Sequence, residues 1–400
     1  MKKISCFGYG ITTKAIAKRF GPCTFYDDNI TKPFKDEAGN FLKPISEFDP
    51  RYSTLEIPSP GMPPRHPLIQ SAQHLKSEYD FFAPSMPYSI WITGTNGKTT
   101  TTQMMQHLLC ERGSLAGGNI GTPLADLDEE AAIWILETSS FTLHYTHEAK
   151  PNIYVILPIT PDHLDWHGGF EAYEADKLKP LSQMLEGEAI ILPRCYAHIP
   201  SNGFKILYDD ASDLAEYFGF DVNRINFKGA FLLDAVIAMG IDKILFDKED
   251  YTKINTFKMD PHRQEEFYDA KGRLWVNDTK ATNIDATLEA LKIYKDKEIH
   301  LILGGDDKGV SLEPLFKELQ SLHVRIYLIG INQDKTSVLA EKFAINFFTC
   351  KSLEDAVHQI AQKHTQDSVA LLSPAASSLD QFSSYVARGD IFKDEVRKLS

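Results

Sequence analysis

Ser89-Ile-Trp-Ile-Thr93 runs straight into Gly94-Thr95-Asn96-Gly97-Lys98-Thr99-Thr100, and Thr101 to Arg112 follows with helical periodicity. A short apolar strand that turns through glycines into a helix is the opening unit of a parallel α/β sheet. The same order builds a phosphate cradle. Gly94 and Gly97 let the backbone approach a ligand, the N–H groups at the helix start carry partial positive charge, and Lys98 reaches toward outer phosphates. Thr99 can place its hydroxyl on Mg²⁺. The general phosphate-loop pattern has a further glycine at the position of Ile92, so this is a shorter Gly-x-x-Gly-Lys-Thr form. A glycine turn opening an ordinary helix is the bland alternative.

Upstream, Ile4–Phe7, Gly8-Tyr-Gly10, an amphipathic stretch from Thr12 to Phe20 and Cys23–Tyr26 read as a βαβ opening. Pro58, Pro60, Pro63, Pro64 and Pro67 then predict loop, because each fixes φ and removes a donor. Downstream, strands are expected at 132–137, 153–157 and 189–192, with helices over 170–185 and 227–239. Beyond Leu274 the alternation is cleaner: strands at 299–304, 324–330, 345–348 and 369–373, separated by helices near 312–322, 336–343 and 353–364. Such alternation implies parallel pairing with right-handed crossovers. Boundaries are expected near Tyr88 and between Asp250 and Pro261, and 400 residues allow two or three domains.

Lys+Arg 42 against Asp+Glu 55 leaves a net charge of −13 with no long basic run, which disfavours nonspecific binding of nucleic acid or anionic lipid. Five scattered cysteines without a Cys-x-x-Cys pair point to a reducing compartment. Gly8 and Gly10 break the first apolar run, so a strand is expected there rather than a signal peptide. No run approaches the roughly 20 apolar residues that span a bilayer. The expected location is the cytoplasm.

Glu137 closes the predicted strand 132–137, where a carboxylate at the carboxyl end of a parallel strand can hold Mg²⁺. Thr160-Pro-Asp162-His163-Leu-Asp165-Trp-His167 packs two acids and two histidines after another strand. It lacks a zinc pattern, and hard oxygen ligands suit a nucleotide site; a capped helix start is the alternative. Gly8-x-Gly10-x-x-Thr13 lacks the third glycine of a dinucleotide fingerprint, although Asp27 and Asp28 lie where a ribose-binding acid would fall. Gly8, Gly10 and the Thr12 and Thr13 hydroxyls suit the phosphates of another nucleotide better. Three further strands finish polar: Asn277-Asp-Thr-Lys280-Ala-Thr282-Asn283, Gly304-Gly-Asp306-Asp307-Lys308, and Ser373-Pro-Ala-Ala-Ser-Ser378-Leu-Asp-Gln381. Together they predict one rim of a parallel sheet, with Ser378 and Gln381 at a helix start.

These stretches, taken with Ser59-Pro-Gly61, Gly117-Gly-Asn119-Ile-Gly121, Leu136-Glu137-Thr-Ser-Ser-Phe141, Lys177 in Ala-Asp-Lys-Leu, Pro261-His-Arg263 and Arg388-Gly389, run in one order over nearly the whole chain. In that order they resemble the Mur ligases, the ATP-dependent amide ligases of bacterial cell-wall synthesis, and within them the D-glutamate-adding branch. The resemblance implies a Rossmann-like UDP-substrate domain over 1–88, a central P-loop ATPase domain over 89–260 and a Rossmann-like amino-acid domain over 261–400. It implies ATP, two Mg²⁺ sites and a carbamylated Lys177, with UDP-N-acetylmuramoyl-L-alanine and D-glutamate as partners of a monomer that binds neither nucleic acid nor membrane.

By the same resemblance Lys98, Glu137, His163, Lys177, Arg263 and Lys280 are catalytic, and Thr99, Glu137, His163 and Lys177 are the metal ligands. ATP falls to Gly94, Thr95, Asn96, Gly97, Lys98, Thr99, Thr100, Asn226, Arg263 and Asp278. The UDP substrate falls to Gly10, Ile11, Thr12, Asp27, Asp28, Ser59, Gly61, Asn119 and His163, and D-glutamate to Thr282, Lys308, Ser378 and Tyr385. Asn226 matches the first of an adenine-contacting pair of asparagines; the second position is Gly229. Two other readings share these features: a sister amide ligase of the Mur or folylpolyglutamate synthase type, and a noncatalytic nucleotide-dependent binding protein. So many converging charged groups disfavour the binder.

Overall fold

The computed structural model describes residues 3–307 and 309–399, which form three largely parallel sheets with helical crossovers. The first holds β1 (Ile4–Phe7), β2 (Thr24–Tyr26), β3 (Phe34–Lys35), β4 (Phe41–Lys43) and β5 (Leu55–Pro58) in the order β3-β4-β2-β1-β5, and only β3 runs antiparallel to its neighbour. The second holds β6 (Tyr88–Thr93), β7 (Ser114–Gly118), β8 (Ile133–Glu137), β9 (Ile153–Ile156), β10 (Ala189–Pro193) and β11 (Phe204–Tyr208). Its order is β11-β10-β9-β6-β8-β7, all parallel. The third holds β12 (Glu265–Tyr268), β13 (Leu274–Asn277), β14 (Glu298–Gly304), β15 (Val324–Ile329), β16 (Asn346–Thr349) and β17 (Ser368–Leu372). Its order is β12-β13-β17-β14-β15-β16, with β12 antiparallel.

The central strands are continuous apolar runs because both faces of a parallel sheet are covered. Trp91 of β6, Trp134 of β8 and Tyr154 of β9 are fully buried. The chain leaves β6 toward β7 and β8 on one side and reaches β9, β10 and β11 on the other. The carboxyl end of β6 is thus a topological switch point, where open α/β sheets bind ligands. By packing, the chain divides into two compact units, Met1–Phe227 with Phe231–Phe257, and Lys228–Ala230 with Lys258–Ser400. The first unit contains two sheets over one core, in which Ile16 and Ile57 cluster with Trp91 and Trp134. No helix among the described residues is long and apolar enough to cross a membrane.

Several boundaries differ from expectation for local reasons. The helix after the glycine loop begins at Lys98 and ends at Leu109. The helix expected over 170–185 stops at Leu178, and Pro180 tightens the chain into a 3-10 turn over Lys179–Gln183. Gly229, at φ 56, precedes a helix that runs Ala230–Phe246 instead of 227–239. The proline passage is not all loop: Pro58 ends β5, and Pro67 opens the helix Pro67–Ser71, where its missing N–H is not needed. Ser378 and Gln381 sit in a turn, and the helix Tyr385–Arg397 starts later, with Ser384 as its cap.

Candidate active site

The glycine loop leaves β6 with Gly94 at φ 141 and Gly97 at φ 85. A Cβ on Gly94 would stand 2.5 Å from the Leu157 Cβ, so the close approach admits only glycine. Lys98 Nζ donates to the carbonyls of Gly94 (3.0 Å) and Thr95 (2.7 Å), which holds the ammonium over the loop. Thr95 Oγ1 donates to the Thr160 carbonyl at 2.9 Å and pairs with the Tyr173 hydroxyl at 3.0 Å, fastening the loop. Asn96 is exposed at the tip. Thr100 is buried, and its hydroxyl has no hydrogen-bond partner.

Glu137 ends β8 beside β6, in register with Ile92. Its Oε2 accepts from Thr99 Oγ1 at 2.8 Å and its Oε1 from Asn119 Nδ2 at 2.7 Å. Two hard oxygens and a bracing amide therefore meet at the start of the helix. Lys177 comes to the same place from the helix Phe170–Leu178. It is 1% exposed, and its Nζ donates to the Gly94 carbonyl at 2.8 Å and to Thr93 Oγ1 at 3.4 Å, over the Tyr173 ring. Burial first, and then the positive charge of Lys98, push its pKa well below the usual lysine value. His163, at φ 51, precedes the short helix Leu164–His167 with its ring 4.7 Å from that of Phe141. Sequence reasoning missed His144 and Asp176; with His167 they bring three ligand-type atoms within 4.8 Å of one another.

The Gly8–Gly10 turn is held from within. Thr13 Oγ1 donates to the Gly8 carbonyl at 2.7 Å, and Asp27 Oδ2 accepts the Tyr9 N–H at 2.8 Å. Thr13 is thus committed to the turn, and Asp28 pairs with His66 at 3.0 Å. Ser59 faces the turn: its buried Oγ has no hydrogen-bond partner and lies 2.6 Å from where a Gly8 Cβ would be. Ile11 stands 73% exposed at the helix start beside it, Thr12 is half-buried, and the Gly61 carbonyl accepts from Trp166 Nε1 at 2.9 Å.

In the second unit the three polar strand ends belong to adjacent strands, β13, β17 and β14. Gly304 and Gly305, at φ 122 and 138, let the β14 end press against its neighbours, since a Cβ on Gly305 would fall 2.2 Å from the Ser377 carbonyl. Asp278, 5% exposed, accepts from Ser373 Oγ at 2.7 Å and from the Gln264 N–H at 3.2 Å. Burial pushes its pKa up to about 7, against those two bonds and the charge of Arg263. Arg263 is flanked by His262 at φ 70 and Gln264 at φ 46, left-handed conformations that cost non-glycine residues about 1 kcal/mol or more each.

Lys280 Nζ lies 4.1 Å from the centre of the Tyr385 ring, joining a residue expected near phosphates to one expected at D-glutamate. Ser378 is buried, Thr282 is half-buried, and Lys308 lies outside the described residues. Arg388 is 1% exposed and donates to Thr279 Oγ1 (2.8 Å), the Thr279 carbonyl (3.0 Å) and the Ala376 carbonyl (3.1 Å). It ties the loop bearing Lys280 and Thr282 to the loop bearing Ser378. Of the adenine pair, Asn226 is exposed and anchored through its N–H to Asn255 Oδ1 at 2.8 Å, while Gly229 offers no side chain.

Residues 92–203 match the Mur ligase middle domain. A UDP-N-acetylmuramoylalanine–D-glutamate ligase of Campylobacter jejuni subsp. jejuni serotype O:6 is 54% identical over 99% of this chain and 100% of its own length. The chain belongs to the UDP-N-acetylmuramoylalanine–D-glutamate ligase family. A ligase of the same name from Helicobacter pylori strain J99 is 45% identical over 99% of this chain and all of its own. The fold extends wider than this family: a MurF ligase from Thermotoga maritima, solved in complex with ADP, superposes with a TM-score of 0.60 at 14% identity, over 94% of this chain and 95% of that one.

Proposed function

We propose that the chain joins D-glutamate to UDP-N-acetylmuramoyl-L-alanine at the expense of ATP, as its family name describes. The observation that carries the reading is the meeting of Lys98, Thr99, Glu137 and Lys177 at the carboxyl end of β6, in a chain 54% identical over its length to a ligase of that name. The alanyl carboxylate attacks the γ-phosphorus of ATP, releasing ADP and leaving an acyl phosphate. The amine of D-glutamate then attacks the acyl carbon, loses a proton and expels phosphate.

Each group has work suited to its surroundings. The loop N–H groups and Lys98 hold the phosphates, while Arg263 steadies the transferring phosphoryl group and Asp278 the ribose. The unpartnered hydroxyl of Ser59 at the Gly8–Gly10 turn supplies a donor for the UDP-sugar phosphates, with Gly10, Thr12 and exposed Ile11 beside it. Thr282, Lys308, Ser378 and Tyr385 serve D-glutamate. We assign the three segments 1–88, 89–260 and 261–400 to the UDP substrate, ATP and the amino acid.

The donor set fits Mg²⁺: Thr99 Oγ1 and Glu137 Oε2 are hard oxygens 2.8 Å apart. Bound there, the metal would neutralise phosphate charge as it transfers. Lys177 fits carbamylation, because a buried lysine held toward its neutral amine has the lone pair that adds to CO2. Nζ would form a bond to the carbon of CO2 and release one proton, turning a neutral amine into an anionic oxygen ligand that serves the metal with Glu137 and His163.

Phosphate release with ATP, Mg²⁺, UDP-N-acetylmuramoyl-L-alanine and single amino acids tests the reading. Stimulation by D-glutamate alone is expected. Stimulation by L-alanine or a diamino acid would move the chain to a sister ligase, and no turnover with any set would leave a binding protein.

A further inference from the structure

We propose that Ser140, His167, Asp176 and His144 form a positioning chain that sets the spacing of the three segments carrying Glu137, His163 and Lys177; it rests on the reading that those three hold Mg²⁺. Asp176 Oδ2 lies 2.9 Å from His144 Nδ1 and 2.9 Å from His167 Nδ1. His167 Nε2 lies 3.0 Å from Ser140 Oγ. With both Nδ1–H groups donating to one carboxylate oxygen, His167 Nε2 is left to accept the Ser140 hydroxyl proton. The run Ser140, His167, Asp176, His144 is then continuous, with each group's role fixed by its neighbour.

The placement of its members matters. Ser140 opens the helix Ser140–Tyr145 three residues after Glu137, and His144 lies one turn further on. His167 ends the helix Leu164–His167, immediately after His163. Asp176 directly precedes Lys177 on the helix Phe170–Leu178. Each ligand-bearing segment thus supplies at least one member.

These segments need such a tie. Helices of 4, 6 and 9 residues are too short to hold themselves in water. Gly168 and Gly169, at φ 85 and 143, join the second to the third with the most permissive backbone available. The His167 side chain is 0% exposed, stacked on Phe141 at 5.7 Å and edge-on to Tyr173 at 5.3 Å. The run is buried at its centre, His167, where both ring nitrogens are engaged, and a gap in a buried polar network is costly. The three ligand-type atoms of His144, His167 and Asp176 are already engaged with one another in this run, which makes them positioning groups, not a metal centre of their own.

The test compares His167→Ala, His167→Asn and Lys177→Ala in the full-length protein, reading kcat, the half-saturating Mg²⁺ concentration and the KM for ATP. Loss of a group that orients metal ligands costs about 10- to 100-fold in metal affinity or activity. His167→Ala is expected to raise half-saturating Mg²⁺ and lower kcat within that range while leaving the KM for ATP nearly unchanged. His167→Asn keeps a donor near the Nδ1 position and is expected to recover much of the loss. Ser140→Ala, which removes one link and keeps both imidazoles, is expected to show a smaller shift of the same kind and serves if His167→Ala does not fold. An unchanged Mg²⁺ dependence in His167→Ala, or in Ser140→Ala if only that variant folds, together with a dead Lys177→Ala overturns the positioning chain. A fully active Lys177→Ala overturns instead the metal reading beneath it.

Discussion

Lys177, on a helix of the first unit with its Nζ at the end of β6, and Asp278, just after β13 in the second, are both buried titratable groups, and desolvation drives each toward its neutral form. The outcomes differ because their partners differ. Lys177 bonds a carbonyl and a threonine hydroxyl, and burial together with the charge of Lys98 outweighs the pull of Asp162, Asp176 and Glu137 toward an ammonium. Asp278 receives a hydroxyl and an N–H, and Arg263 lends it positive charge, so it sits on the edge of ionising at about 7. The first holds an amine toward its neutral form; the second holds a carboxyl near the midpoint of its ionisation. Burial alone does not determine what a buried group is for; its hydrogen-bond partners do.

The largest effect expected from this contrast is at Lys177. Lys177→Ala should lower turnover by about 10³-fold, comparable to removing an electrostatic stabiliser of a transition state. Added short-chain carboxylates should restore part of it; unchanged turnover in the variant would remove Lys177 from the site. Next in size is Asn119→Ala, which frees Glu137 Oε1 from its 2.7 Å brace and should cost about 10-fold in kcat or Mg²⁺ affinity. Equal Mg²⁺ titrations for variant and wild type would show that the brace is idle.

Asp278 should show its state through pH. A charged acceptor holds a ribose hydroxyl about 1 kcal/mol more tightly than a neutral one, or roughly 5-fold. The KM for ATP should therefore fall as pH rises through about 7, and Asp278→Asn should flatten that profile. A profile equally steep in the variant would place the titrating group elsewhere.

A separate effect, away from the site, is expected on stability. Burial depresses His300 and His364 from 6.5 to about 4 each, and they pack edge to face within 5.5 Å. Between those values the unfolded chain binds protons that the folded unit does not, so their contribution is intact above about 6.5 and is lost as pH falls toward 4. Thermal midpoints measured from pH 7 to 4 should decline, and His300→Gln should decline less steeply than wild type.

The two regions were also unequally legible. The glycine loop, its strand and Glu137 are contiguous signals, and the apolar run of β6 leaves little choice of fold. That the polar ends of β13, β17 and β14 share one rim also followed from pattern, because parallel strands point the same way; their adjacency is a matter of strand order and did not. What lay outside reach depends on contacts distant in sequence. His163 and His167 are one helical turn apart and read as a pair, but His167 turns to Asp176 and Ser140, which no local spacing announces. The burial of Arg388 across two loops appears only once β13 and β17 are side by side. Strand β7, Ser-Leu-Ala-Gly-Gly, is not among the expected strands; its glycines make room for Leu127, the Thr122 carbonyl and the end of β8.

The most direct test of the whole account is the fate of oxygen. With ¹⁸O in the alanyl carboxylate of UDP-N-acetylmuramoyl-L-alanine, turnover with ATP and D-glutamate should release inorganic phosphate carrying one ¹⁸O, taken from the carboxylate when the acyl phosphate breaks. Unlabelled phosphate accompanied by amide product would contradict an acyl phosphate and, with it, the roles assigned to Lys98, Glu137 and Lys177.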